Sequence, residues 1–257
     1  EHRYSFQFQM WTFLAMALLA KKSFCSFICP VGTISEGAWK LGHRLFGRNF
    51  RIWKGLDLLL RLAKYALLFF FVKLVLIDMP AIALQGFLAT PYWAIADVKM
   101  LYFFTQMSAI SLTVILALSL LSIVFRNFWC RYLCPYGALL GLLSMLSPFK
   151  ITRTEKSCTR CGACSRACPS LIDVRHKTRV RSPECTGCLT CVSRCPEQDA
   201  LAMAFWKKPV TGSVFVLAVM LLFGGGVMAG MLSGHWETSL SYADYQRLVP
   251  FASRLGH

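Results

Sequence analysis

Long stretches of this chain contain no charged residue, and they constrain its fold more than any other feature of the sequence. Three such runs, at residues 4–20, 100–125 and 209–236, are long enough to cross a hydrocarbon core of about 30 Å as helices. Of the 257 residues, 56% are hydrophobic, which is too high for an ordinary soluble domain of this size. The sequence therefore predicts an all-α integral membrane protein.

A fourth apolar run, at residues 58–77, contains basic residues, two of which, Arg61 and Lys64, we expect to extend from its start toward the membrane surface. Residues 21–64 contain nine lysines and arginines, and residues 126–208 contain fourteen. By the positive-inside rule both stretches are cytoplasmic, which requires one crossing between them and another between Leu74 and Phe125. We therefore predict about four spans with both termini outside. The first run lacks a signal-peptide cleavage site after it, so we expect it to be retained as a helix.

The formal net charge is +16, a value that also occurs in nucleic-acid-binding proteins. Here the basic residues follow one side of the predicted membrane, so the expected partner is membrane lipid and not nucleic acid. The expected location is a bacterial inner membrane, crossed several times.

Eight of the twelve cysteines form two copies of the pattern Cys-x2-Cys-x2-Cys-x3-Cys-Pro. Three thiolates at this spacing wrap one face of an iron-sulfur cube, whereas the fourth, before proline, reaches the neighbouring cube. Two tetrahedral zinc sites would also use eight thiolates, but two complete copies ending in Cys-Pro favour two [4Fe-4S] clusters. The predicted ligation is crossed, with Cys158, Cys161, Cys164 and Cys195 on one cluster and Cys185, Cys188, Cys191 and Cys168 on the other.

Between Cys158 and Pro196 the chain resembles bacterial two-cluster ferredoxins. The resemblance implies an inserted α+β domain, at residues 151–206, that transfers single electrons. Its basic surface would face anionic lipid headgroups or an acidic partner domain. The basic residues are Arg160, Arg166, Arg175, Lys177, Arg179, Arg181 and Arg194.

The other four cysteines form two shorter cassettes of the pattern Cys-x3-Cys-Pro, each followed by glycine: Cys25 and Cys29, then Cys130 and Cys134. Proline is typical of the first position of a helix, which makes Cys29 and Cys134 predicted N-cap residues. A thiolate there is stabilised by free N–H groups, so we expect thiols of low pKa that are redox-active or ligate metal. Packing is the alternative, and the repeat favours function. A metal centre, disulfides and a quinone or flavin pocket all remain open.

These two cassettes, together with the eight ferredoxin cysteines, resemble the NapH and NosR family of membrane polyferredoxins. The resemblance implies electron flow between the quinol pool and a partner oxidoreductase, which includes periplasmic ones. The chain departs from the simplest members by adding a last span and an outer tail. The expected division is residues 1–150 for membrane helices with both cassettes, 151–206 for the ferredoxin insert, 207–234 for the last helix and 235–257 for a periplasmic tail.

A haem site and a quinone site are two further kinds of site that a membrane electron-transfer protein can contain. Haem is not expected, because no histidine lies in the middle of a predicted span and no Cys-x-x-Cys-His sequence occurs. Lys73 lies inside a predicted span and is a candidate for hydrogen-bonding a quinone, although it could instead extend outward near Asp78. His2 and His235 would both lie near the outer surface.

Two other functions fit the same cysteines. One is a metal-handling factor that reduces copper for oxidase assembly, like the related polyferredoxin CcoG, with the cassette thiols binding the metal. Methionines would then assist: Met100, Met107, Met228 and Met231. The other is a redox sensor. Neither function would oxidise quinol.

Overall fold

The computed structural model describes residues 2–47, 50, 52–197, 199–234 and 240–252. The chain begins with helix α1 (His2–Ala20), and a short helix α2 (Phe24–Phe27) then leads into α3 (Pro30–Phe46). Helix α3 starts at the predicted proline and ends at Gly47, whose φ of 67° is readily adopted only without a side chain.

A group of bent helices follows. Helix α4 (Lys54–Lys73) continues into a π-helical turn (Leu74–Asp78). Short helices α5 (Ala81–Leu88) and α6 (Pro91–Ala94) lead to α7 (Ala96–Thr105) and α8 (Ala109–Val124). A second π-helical turn (Trp129–Leu133) carries Cys130, and α9 (Pro135–Ser144) begins at the second cassette's proline.

The ferredoxin-type domain is built on an antiparallel three-stranded sheet. Strand β1 (Phe149–Arg153) pairs with β2 (Leu201–Phe205), which pairs with β3 (Lys208–Val210). Two short helices, α10 (Ala163–Ala167) and α11 (Thr190–Ser193), carry Cys164 and Cys191. Apolar side chains on β1, β2 and the intervening loops form the core, which continues onto the last long helix through Phe215.

That helix, α12 (Gly212–Leu232), is followed by α13 (Tyr242–Leu248) and a 3-10 turn (Val249–Phe251). Ser241 and Asp244 close the start of α13 with reciprocal hydrogen bonds. Tyr245 donates a hydrogen bond to Asp97 at 2.7 Å, which joins the C-terminal tail to the connection between α4 and α8. His235 lies outside the described residues, as does the side chain of His2.

Among the described helices, α12 alone is long and apolar enough by itself to cross a bilayer. The number rises to three if each of two bent pairs forms one span. These pairs are residues 55–78 with α5, bent by 104°, and α7 with α8, bent by 77°. The structure thus shows a mostly helical protein with a ferredoxin-type domain, and the four-span arrangement stays a prediction.

The two cassette segments exchange helix partners. Each segment runs helix, cassette, helix: α1 to α3 in the first copy and α8 to α9 in the second. Helix α1 packs against α9, and α3 packs against α8, so the helix before each cassette contacts the helix after the other one. Gly42 permits the second contact, because a Cβ there would stand 1.9 Å from the carbonyl oxygen of Ile123. This exchange brings the two cassettes together.

Candidate redox site

A cavity in the ferredoxin-type domain is lined by four cysteines: Cys168, Cys185, Cys188 and Cys191. These are the four thiols predicted for one of the two clusters. The cavity has an empty volume of about 370 Å³, and apolar side chains including Ile151, Val174 and Val180 form the rest of its wall. The fold therefore brings Cys168 of the first motif and three thiols of the second motif around one space.

The electrostatics of this cavity favour a bound cationic group. Burial raises the pKa of Cys168 to about 11, and burial together with the neighbouring thiols raises the pKa of Cys191 further. Thiolates in such surroundings need positive charge close by, which the iron atoms of a cluster supply. The backbone N–H of Ile172 also donates to the Cys168 sulfur at 3.4 Å. Four thiols around an enclosed apolar space fit a [4Fe-4S] cluster.

The four cysteines predicted for the other cluster lie nearer the surface. Cys164 is buried in the core, Cys158 and Cys195 are partly exposed, and Cys161 is exposed. A backbone hydrogen bond from Arg160 and the side chain of Arg153 lower the pKa of Cys158. Cys164 also contributes to the raised pKa of Cys191, so the two predicted cluster positions are neighbours.

The four cassette cysteines interact with one another. Burial is the main reason that the pKa of Cys130 rises to about 12. Cys134, Cys25 and Cys29, in decreasing order of effect, add to this rise because each disfavours the charged form of Cys130. Burial likewise raises the pKa of Cys25 to about 11. The predicted N-cap positions are confirmed, with Cys29 at α3 and Cys134 at α9. The Cys134 sulfur accepts from the N–H of Gly137 at 3.2 Å, whereas the Cys29 side chain makes no capping hydrogen bond.

A second cavity connects the cassettes with the ferredoxin-type domain. Its empty volume is about 550 Å³, and its lining includes Cys25 and Cys130 from the two cassettes together with Cys188 from the first cavity. Pro169, Ser170, Thr186 and Cys188 line both cavities. Only a thin wall that contains Cys188 therefore separates the cassette thiols from the predicted cluster position.

Two buried ion pairs fasten the domain to the helices, and sequence reasoning missed both. Lys64 does not extend toward solvent as expected. Its side chain is 1% exposed, and its Nζ lies 2.6 and 2.7 Å from the carboxylate oxygens of Glu184, one residue before Cys185. A lysine can be buried in this way because the carboxylate of Glu184 compensates its charge. Arg61, the other expected surface residue, pairs with Asp57 at 2.8 Å.

The second pair joins Asp57 of α4 to Arg131 of the second cassette. Arg131 donates to both carboxylate oxygens of Asp57, at 3.0 and 3.1 Å, and Tyr132 donates to the same carboxylate at 2.5 Å. Arg131 also donates to the backbone carbonyl of Ser170 beside the cluster cavity. The signal that could have found these pairs is the presence of charged residues, Asp57, Lys64 and Arg131, next to apolar ones in segments that precede or follow predicted spans.

The remaining predicted residues lie elsewhere. Lys73 is about half exposed and lies 3.6 Å from Asp78, in agreement with the expectation that it extends outward near Asp78. Its role in binding a quinone stays a prediction. The four methionines considered for copper are exposed, and none of them lines the cavity at Cys25 and Cys130. Among the residues that the structure describes, no three His, Cys, Asp or Glu side chains are arranged to hold a single metal ion.

Residues 150–196 match the family model described as "4Fe-4S dicluster domain". Residues 4–49 and 107–154 each match a second model, described as "4Fe-4S binding domain", and each match contains one cassette. No solved structure matches the chain.

Curated relatives match over most of the chain. The "Putative electron transport protein YccM" of Escherichia coli is 44% identical over 252 residues, which is 95% of this chain and 70% of the relative. The "Ferredoxin-type protein NapH" of Escherichia coli is 30% identical over 75% of this chain and 65% of its own length. The "Regulatory protein NosR" of Pseudomonas aeruginosa is 29% identical over 75% of this chain and 26% of its own length.

The chain belongs to the NapH/NosR-type polyferredoxins. Like other such polyferredoxins it is an iron-sulfur electron-transfer protein with a ferredoxin-type domain and at least one apolar membrane helix. The match of both cassette segments to one model also shows that the polyferredoxin contains an internal repeat.

Proposed function

We propose that this polyferredoxin relays single electrons between the quinol pool and a partner oxidoreductase. Two [4Fe-4S] clusters, ligated in the crossed pattern, would supply the one-electron chemistry. The observation that carries the proposal is the shared wall at Cys188, which places the cassette thiols beside the predicted cluster position. Electrons arriving from the membrane helices thus have a short route into the ferredoxin-type domain.

The burial of the cysteines distinguishes an inner cluster from an outer one. Cys168, Cys185 and Cys191 are buried, which shields one cluster from water, whereas Cys161 is exposed. The cluster next to the cassettes is therefore the inner one, and the cluster on Cys158, Cys161, Cys164 and Cys195 is the outer one. An acidic partner would meet this outer cluster at the arginine-rich surface.

The topology proposed is four spans, formed by α1, α4, α7 with α8, and α12, with the ferredoxin-type domain at residues 151–206 on the cytoplasmic side. The ion pairs of Lys64 and Arg131 support this, because they hold Asp57 and Lys64 of α4, the second cassette and the domain together. The contact between Tyr245 and Asp97 joins the tail to the start of α7, and the proposed topology has both at the outer surface.

Anaerobic purification tests the proposal. We expect iron and sulfide for at least two clusters, paramagnetic signals from these clusters after dithionite, and reduction of the same clusters by a menaquinol analogue. Clusters that dithionite reduces but quinol leaves oxidised would overturn the quinol-linked function. Stoichiometric Cu(I) in that same preparation would favour the copper-handling alternative.

A further inference from the structure

Lys22 is a buried lysine whose side chain has neither an ion pair nor a hydrogen bond among the residues that the structure describes. The residue is 4% exposed, and it lines the 550 Å³ cavity between the cassettes and the ferredoxin-type domain. Burying an ammonium group without a partner costs several kcal/mol, so such a group normally has an anion next to it. The position of Lys22 thus points to an anionic occupant of this cavity.

Other buried lysines in the described chain have partners of their own. Lys21 donates to the carbonyl of Val180, Lys150 donates to two carbonyls at the end of α9, and Lys64 pairs with Glu184. Lys22 differs from these lysines in facing a cavity instead of a protein acceptor.

The carboxylates in the same cavity do not serve Lys22. Glu184 is held by Lys64 at 2.6 Å, and Glu36 is held by Lys40 at 2.6 Å. The arginine that lines the cavity, Arg131, is held by Asp57. The charges around Lys22 are therefore already paired, and its own charge is left over.

Lys22 lies near the cassette thiols, because Cys25 and Cys130 line the same cavity. Its Nζ and the Cys134 sulfur lie 3.5 and 3.4 Å from the point where a Cβ on Gly137 would stand. Lys22 also favours the charged forms of Cys25 and Cys130. The hydroxyl of Tyr136, near Cys25, Cys134 and Cys29, is buried without a hydrogen-bond partner among the described residues and offers a second donor.

We infer that Lys22 is the counter-charge of an anionic, thiolate-ligated redox centre on Cys25, Cys29, Cys130 and Cys134, and that it raises the reduction potential of this centre. The inference rests on the proposed electron-transfer function and adds a third centre to it. The match of both cassette segments to a "4Fe-4S binding domain" model makes an iron-sulfur cluster the chemical class of the centre.

Charge explains the effect on the potential. When the centre accepts one electron from the neighbouring iron-sulfur cluster, or from dithionite in solution, it gains one unit of negative charge, and the donor loses one electron. An adjacent ammonium stabilises the reduced state more than the oxidised state. Without Lys22 the centre would be harder to reduce.

Potentiometric titration with dithionite, followed by electron paramagnetic resonance, tests this inference. The double variant Cys25→Ser/Cys130→Ser first identifies the cassette signal, which it should abolish while leaving the ferredoxin signals in place. Lys22→Met should then lower the ratio of reduced to oxidised cassette centre, at the wild-type midpoint, about tenfold, which is about 59 mV for one electron. Lys22→Arg should restore most of the wild-type potential.

Lys207→Met is the matched control, because it removes a positive charge from an exposed side chain that lines neither cavity. We expect its cassette potential to equal that of the wild type, since solvent screens an exposed charge. The ferredoxin signals report correct folding in every variant.

An unchanged midpoint in Lys22→Met would overturn the inference, as would a wild-type spectrum in which the cassette double variant removes no signal. If Lys22→Met loses the centre altogether, retention in Lys22→Arg supports charge compensation and loss in both variants contradicts it. None of these results depends on quinol. A failure of the proposed quinol-linked function would instead appear as intact clusters that menaquinol does not reduce.

Discussion

The ion pair between Lys64 and Glu184 gives the sharpest prediction about stability. The pair is nearly inaccessible to water, with exposed fractions of 1% and 8% for the two side chains. Replacing Glu184 with Gln leaves the Lys64 ammonium buried without its carboxylate. Removing one partner of a buried pair costs about 3–5 kcal/mol, which is about 10²- to 10⁴-fold in the opening equilibrium. We expect Glu184→Gln to raise, by that factor, the equilibrium constant for release of the ferredoxin-type domain from α4.

Native-state proteolysis measures this opening equilibrium. Thermolysin cleaves beside apolar residues, and those of the domain, such as Ile151 and Met203, are buried in the core. At low protease concentration the cleavage rate tracks the population of the open form. The rate in detergent-solubilised Glu184→Gln should therefore rise by about 10²- to 10⁴-fold.

A second ion pair provides the control. Lys40 and Glu36 are also 2.6 Å apart, but their side chains are 59% and 32% exposed. Exposed pairs contribute at most about 1 kcal/mol, so Glu36→Gln should raise the cleavage rate less than about tenfold. The double variant Lys64→Met/Glu184→Met should return close to wild type, because a buried pair replaced by apolar side chains costs little. Equal effects of Glu184→Gln and Glu36→Gln would refute the reasoning from burial.

Three further predictions follow from the packing and the cavities. Cys188→Ser should remove the inner cluster, so that the iron content falls by about four atoms per chain and the outer cluster's signal persists; retention of all the iron would exclude Cys188 as a ligand. Gly42→Ala should cost about 1–3 kcal/mol by thermal unfolding, because its Cβ would overlap the Ile123 carbonyl. Gly37→Ala on the same helix has open space around it and should be neutral or stabilising by about 1 kcal/mol; equal losses in both variants would contradict the close helix contact. Tyr245→Phe should destabilise the tail by about 1 kcal/mol and speed hydrogen exchange in α13, since it removes the hydrogen bond to Asp97; unchanged exchange would show that this contact does not hold the tail.

The local features of the chain could be predicted from sequence because they depend on neighbouring residues. The proline after the second cysteine of each cassette predicted the starts of α3 and α9, and the apolar runs predicted the long helices. The spacing of the eight cysteines also predicted which four thiols share a cavity, since each motif points its last cysteine at the other one.

The long-range features could not be predicted in the same way. Lys64 has no acidic neighbour in sequence to indicate a buried partner, and Glu184 lies 120 residues away. Hydropathy shows the apolar runs but not the bends of 104° and 77° between the helices. The position of Lys22 between the cassettes follows only from the exchange of helix partners between the two repeats.

The measurement that tests the central claim most directly is the metal and sulfide content of anaerobically purified protein, together with its spectrum after dithionite. Iron-sulfur ligation by the eight ferredoxin cysteines predicts at least about eight iron atoms and as many sulfides per chain, with signals from two interacting clusters. Stoichiometric zinc with no paramagnetic signal would contradict it.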